Sequence, residues 1–169
     1  MRKIQIIGCG GAGKSTFAIQ LGKKLDVEVY HLDTLFWNPG WVPSSREAFT
    51  LKLEDIFPKD AWIMDGNYGG TMALRMSKSD TIIFLDVSTW TCLSGALGRL
   101  LKYRRGTRPD MTEGNDEQLN WEFLSWILFY RRNKRPGIIA LLDTYRSTKN
   151  VVILKSRKEI AHFLKGHAL

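Results

Sequence analysis

Gly8, Gly13, Lys14 and Ser15 stand in the spacing GxxxxGK[ST], between an apolar run at Ile4, Ile6 and Ile7 and a second run, Phe17, Ala18, Leu21 and Leu25, at helical intervals. A strand before and a helix after are the context in which this spacing makes a Walker A phosphate loop. Without Cβ atoms at Gly8, Gly10, Gly11 and Gly13, successive N–H groups can turn inward as a nest for phosphate oxygens, and Ala12 lies in the same cradle. The helix opening at Lys14 adds its dipole and its unpaired N–H groups. Lys14 can reach the outer phosphates as a point charge, the Ser15 hydroxyl can ligate Mg²⁺, and Thr16 can bond an inner phosphate. The chemistry this implies is binding of ATP with Mg²⁺. Cys9, inside the loop, reads more simply as a small side chain filling a turn than as a redox switch.

Three further stretches carry groups that can react or clamp. In "HLDTLFWNPGW", residues 31–41, Asp33 can accept a proton from an acceptor hydroxyl or hold a metal-bound water, and Trp37 and Trp41 can wall an acceptor pocket. The competing account is a turn at Pro39-Gly40 whose aromatics cap the core, and His31 reads as a structural rim residue. In "WIMDGNYGG", residues 62–70, an apolar strand delivers Asp65 toward the phosphate loop, the Walker B role, unless the Asp-Gly pair is only a turn. The strand "TIIFLDV" also ends in an aspartate, Asp86, so the metal-side carboxylate is ambiguous between the two. In "RLLKYRRGTRPDM", residues 99–111, Arg104, Arg105 and Arg108 around Gly106 and Pro109 suit a lid that closes on phosphates. A solvated helix face, or a basic surface continued by Arg131, Arg132, Lys134 and Arg135 that tracks a nucleic-acid backbone, would carry the same charges.

The elements that must hold these groups follow from the apolar pattern. Runs at 4–7, 27–30, 61–64, 81–85 and 151–154 read as buried strands separated by longer segments of helical spacing, which predicts a parallel α/β sheet with ligands beyond the carboxyl ends of its strands. The segment 119–130, with Leu119, Phe123, Trp126, Ile127 and Tyr130, reads as a core helix rather than a cofactor box. Ser156 and Glu159 form a capping box ahead of Ile160, Phe163 and Leu164.

With 169 residues, no repeat and no low-complexity tract, the chain reads as one nucleotide-binding domain over 1–169. Two cysteines far apart, no zinc spacing, no leader and no membrane-length apolar run predict a soluble cytoplasmic protein. A net charge of +8 and a pI near 9.6 imply polyanionic partners, nucleotides or nucleic acid, without choosing between them.

The order GCGGAGKS, HLD with FWNPGW, WIMDGNY, TIIFLDV and RRGTRPDM resembles, over nearly the full length, the bacterial DNA topology modulation proteins related to FlaR. That group is itself similar to adenylate kinase and other small P-loop kinases. The resemblance implies a P-loop NTPase fold, adenylate-kinase-like, with five parallel strands flanked by helices and a short basic lid at about 99–115. It also implies that the strand ending at Asp65 lies beside the phosphate-loop strand, which favours Asp65 over Asp86 for the metal side. Adenylate kinases follow their Asp-Gly element with an arginine that grips the acceptor nucleotide. Here Asn67 and Tyr68 follow and the next arginine is Arg75, so the acceptor need not be a nucleoside monophosphate. The resulting expectation is a phosphotransferase moving a phosphoryl group from ATP-Mg²⁺ to a small acceptor, with Lys14, Asp33, Arg104, Arg105 and Arg108 in the chemistry and Ser15 and Asp65 on the metal. The alternative is a nucleotide-dependent DNA-binding protein with little or no transfer activity.

Overall fold

The computed structural model describes residues 1–103, 110–116 and 120–166. In chain order the elements are β1 (Lys3–Gly8), α1 (Lys14–Leu25), β2 (Val29–His31), α2 (Leu32–Phe36), β3 (Trp37–Asn38), β4 (Val42–Pro43), α3 (Arg46–Glu54), β5 (Trp62–Asp65), α4 (Gly69–Lys78), β6 (Thr81–Leu85), α5 (Thr89–Lys102), α6 (Trp121–Asn133), α7 (Arg135–Tyr145), β7 (Asn150–Leu154) and α8 (Arg157–Gly166). Five strands form one parallel sheet in the order β2-β5-β1-β6-β7. Helices cover both faces, so β1, β5 and β6 are buried on both sides, and this is why they read as continuous apolar runs rather than alternating ones.

Every expected strand is present, with one informative shift. α1 ends on Asp26 in a left-handed conformation, φ 53°, and Val27 N–H bonds back to Gly22 O at 3.0 Å, so Val27 finishes the helix and does not start β2. β2 therefore starts two residues later than the apolar pattern suggests and ends one residue later, on His31. The 31–41 stretch is also more than a turn. It folds as the short helix α2 followed by the antiparallel hairpin β3–β4, with Pro39-Gly40 at the tip.

Two apolar clusters brace the sheet. One packs α1, α5, α6, α7 and α8 around β1, β6 and β7 through Phe17, Leu21, Phe84, Ile127 and Leu142. The other seats α2 and α3 on β5 through Leu32, Phe49, Leu53, Trp62 and Met64. Side-chain caps start several helices: Ser45 accepts from Ala48 N–H, Ser88 from Thr91 N–H, and Asn120 from Phe123 N–H. At α8 the expected capping box forms, with Ser156 accepting from Glu159 N–H at 3.1 Å while the Glu159 carboxylate accepts from Lys155 N–H at 2.9 Å. Among the described residues no helix is long and apolar enough to cross a membrane.

Candidate active site

A cleft of about 1160 Å³ opens at the carboxyl ends of the strands, and Gly10 to Thr16, Asp33, Asp65, Trp37 and Trp41 all line it. The loop between β1 and α1 owes its shape to two glycines. Gly13 sits at φ +91° at the head of α1, and Gly11 at φ +76° lies so close to α5 that a Cβ there would be 2.1 Å from Cys92 O. The Lys14 ammonium folds back on its own loop and donates to Cys9 O at 3.0 Å. Burial pushes Lys14 below its ordinary pKa, while the charges of Asp65 and Asp33 act in the opposite direction.

The sheet register assembles the next layer. His31 and Asp65 are paired positions on β2 and β5, and His31 Nδ1 lies 2.6 Å from Asp65 Oδ1. Burial alone would lower the His31 pKa, but the Asp65 hydrogen bond and charge, with help from Asp110 and Asp33, raise it above its ordinary value. His31 is thus part of the cleft and directly bonded to a proposed metal-side group, in contrast to the structural rim role its sequence context suggests. The signal that would have found it is the end of β2, which the apolar run places one residue early.

The Asp-Gly-Asn-Tyr segment after β5 is fixed from two directions. Asn67 pairs with Gly8 as a strand neighbour would, accepting from Gly8 N–H at 3.1 Å and donating to Gly8 O at 2.8 Å. Arg75, on α4 and fully buried, donates to Gly66 O, Asn67 O and Tyr68 O and to Gln5 Oε1 and Thr71 Oγ1. Its guanidinium is consumed by the scaffold. Tyr68 then donates to Asp33 Oδ1 at 2.6 Å, and burial followed by the Asp33 charge holds the phenol proton firmly in place. Tyr68 and Trp41 both sit at positive φ, 38° and 60°, a conformation that costs non-glycine residues energy and that concentrates at functional sites.

Trp37 and Trp41 form an edge-to-face pair, centroids 5.4 Å apart at 73°. Residues 110–116 dock onto this wall: Thr112 donates to Trp37 O at 2.6 Å, and Asn115 accepts from Trp41 N–H at 2.6 Å and donates to Asn38 O at 3.0 Å. Arg104, Arg105 and Arg108 lie outside the described residues. On the opposite wall α6 does two things at once. Ile127 and Tyr130 are core, as their spacing suggests, whereas Phe123 and Trp126 face the cleft against Gly10. Cys9 and Cys92 are both buried free thiols, and the hydrogen bond between them, with burial, raises the Cys9 pKa.

Asp86 differs from Asp65 in its surroundings. It is held by Arg135, whose Nη2 lies 2.7 Å from Oδ2, and by Arg131 at 3.4 Å, and it does not line the main cleft. One hydroxyl at Ser15 and one carboxylate at Asp65 suit Mg²⁺, which keeps waters and takes most remaining ligands from phosphates. Among the described residues no cluster of three or more His, Cys, Asp or Glu forms an all-protein metal cage.

The sheet order, the loop and the cleft together define an α/β P-loop NTPase fold. No family model matches the chain, and no curated protein matches it in sequence. Solved structures do match in fold. Shikimate kinase from Acinetobacter baumannii in complex with shikimate is 15% identical with a TM-score of 0.57, covering 98% of this chain and 90% of that one. Deoxyadenosine kinase from M. mycoides with bound dATP is 16% identical, with a TM-score of 0.55 and coverage of 96% and 97%. A putative kinase from Chloroflexus aurantiacus is 15% identical, with a TM-score of 0.54 and coverage of 98% and 97%. The chain thus shares the fold of P-loop kinases over nearly its whole length.

Proposed function

We propose that this protein is a phosphotransferase that moves the terminal phosphoryl group of ATP to a small acceptor. The observation that carries the reading is that Lys14, Asp65 and Asp33 face a single cleft, with both carboxylates close enough to act on the Lys14 charge. In this reading the N–H groups from Gly8 to Thr16 bind the phosphates and Lys14 swings from Cys9 O onto the outer ones. Ser15 and Asp65 hold Mg²⁺ or its waters, and the ion supplies charge neutralisation on the phosphate oxygens. Asp33 orients the acceptor hydroxyl and takes its proton, with Tyr68 fixing the carboxylate. Arg104, Arg105 and Arg108 close over the transferring group. The kinase names of the fold neighbours and the resemblance of the motif order to the topology modulation group support the same class.

The test is incubation with ATP, Mg²⁺ and a panel of nucleosides, nucleotides and sugars, with detection of the phosphorylated product. Lys14→Ala is expected to keep the fold and to lower transfer by about a hundredfold or more, because a phosphate countercharge is lost while no core contact is. Equal turnover in that variant overturns the reading. A nucleotide-dependent DNA-binding protein is the second reading, favoured by the net charge of +8. It predicts DNA retardation that weakens steeply with salt and no product from any acceptor.

A further inference from the structure

Two basic stretches of the chain, "RRNKR" at 131–135 and "KSRK" at 155–158, meet outside the cleft. Where Asp86 N–H donates to Leu154 O at 2.9 Å, just beyond β6 and at the end of β7, a cavity of about 360 Å³ is lined by Asp86, Ser88, Arg131, Arg135 and Lys155. The buried Asp86 carboxylate fixes both guanidiniums. Arg135 donates through Nε at 2.8 Å to Oδ1 and through Nη2 at 2.7 Å to Oδ2, and Arg131 donates through Nη1 to Oδ1 at 3.4 Å and to Val87 O at 3.3 Å. Among the described residues, Arg135 Nη1, Arg131 Nη2 and the exposed Lys155 ammonium have no acceptor. Glu159, four residues from Lys155, spends its carboxylate on Lys155 N–H and the Ser156 hydroxyl at the α8 cap and does not line the cavity.

From this we infer that the Asp86 cavity is a second anion site, separate from the phosphate loop, which takes a dianionic phosphate group carried by inorganic phosphate or a small phosphomonoester. Three cations against one carboxylate leave the lining a net charge of +2, which a dianion neutralises in full. A phosphodiester, with a single charge, does so only by half. Because Asp86 already holds the two guanidiniums, little side-chain freedom is lost when their remaining N–H groups meet a ligand oxygen. Ser88, which caps the 14-residue helix α5, sets the positive end of that helix at the cavity edge. None of the five lining residues lines the cleft, so the inference goes beyond the phosphotransferase reading and does not depend on it.

The experiment is calorimetric titration of the full chain at about pH 8, above the second phosphate pKa of about 6, with the cleft first filled by a slowly hydrolysed ATP analogue and Mg²⁺. The probes are inorganic phosphate, glycerol 1-phosphate, dimethyl phosphate and a short DNA duplex. One saturable site per chain is expected for the two dianions, about tenfold or more tighter than for dimethyl phosphate. Tighter binding of inorganic phosphate marks a site for the free ion and tighter binding of glycerol 1-phosphate a site for an ester; both support the assignment. Lys155→Glu, at an exposed position, is expected to weaken the dianions by about tenfold or more and Lys155→Arg to restore them to within about threefold, with urea unfolding unchanged in both. The same titration in Lys14→Ala, whose phosphate loop has lost its countercharge, is expected to give the same affinity, so a failure of the phosphate-loop reading leaves this result standing. No saturable binding with the cleft filled, or equal affinity in Lys155→Glu, overturns the inference. So does DNA bound more tightly than either dianion and lost in Lys155→Glu, which would make this face a track for a phosphodiester backbone.

Discussion

β5 and β6 lie on either side of β1, and each delivers an aspartate to its carboxyl end, buried to 4% exposure at Asp65 and 6% at Asp86. What holds the two ends differs. The β6 end is held through the carboxylate itself, by Arg131 and Arg135 from α6 and α7. The β5 end is held through its backbone: Arg75 grips the three carbonyls after Asp65, Asn67 grips Gly8, and the Asp65 carboxylate is met by the titratable His31. A scaffold cation placed behind the chain leaves the acid facing the cleft. A cation placed on the acid turns it into scaffold.

The largest expected effect tests that division at Arg75. Arg75→Met keeps length and apolar bulk but takes the donor from Gln5 Oε1 and from the Asn67 carbonyl in a buried setting, while the Gly66 and Tyr68 carbonyls keep Gln5 Nε2 and Thr71 N–H. Each such group costs about 1–3 kcal/mol, so a loss of about 3 kcal/mol or more in urea unfolding is expected, with the segment around Tyr68 becoming cleavable by protease. A loss below about 1 kcal/mol would mean that α4 and Asn67 hold the β5 end without Arg75, and the contrast drawn here would collapse.

Next comes the paired comparison of the acids. Asp65→Asn is expected to lower Mg²⁺-dependent turnover about a hundredfold while stability changes little, since the amide can still bond His31. Asp86→Asn is expected to do the reverse, leaving turnover within about threefold and costing about 2 kcal/mol, a buried-pair value discounted because Arg131 and Arg135 are partly exposed. The reverse ranking, read from Mg²⁺ titrations at fixed ATP beside denaturation curves, would move the metal side to Asp86.

These two acids also show what a sequence can and cannot yield. The strands and the phosphate loop were legible because their signals are local: a buried parallel strand is a continuous apolar run, and a loop that wraps phosphate needs glycines within a few positions. Asp65 and Asp86 read alike because the difference lies in partners 34 residues upstream for one and 45 and 49 residues downstream for the other. Arg75 sits on a helix whose pattern gives no reason to bury a guanidinium, and only the carbonyls it meets explain it. His31 escaped for a smaller reason. The left-handed cap at Asp26 lengthens the exit from α1 by two residues, and that slip decides which side chain of β2 reaches Asp65.

The smallest expected effect is a pH dependence confined to the β5 end. The folded pKa of His31 lies above its ordinary value of 6.5, so the ion pair with Asp65 contributes stability that is complete below pH 6.5 and is lost as pH rises through the folded pKa. The Asp86 cluster is built from arginines and, among the described residues, holds no histidine. Unfolding free energy should therefore decline gently from pH 6.5 upward, and His31→Asn, which keeps a donor near the Nδ1 position and removes the titration, should flatten that slope. In NMR titrations the His31 ring, assigned by its absence in the variant, should have its midpoint above 6.5 and move down in Asp65→Asn while staying put in Asp86→Asn. A midpoint below 6.5, or equal movement in both variants, would show that burial outweighs the Asp65 contact, and the β5 acid would then stand in the cleft without a charged partner.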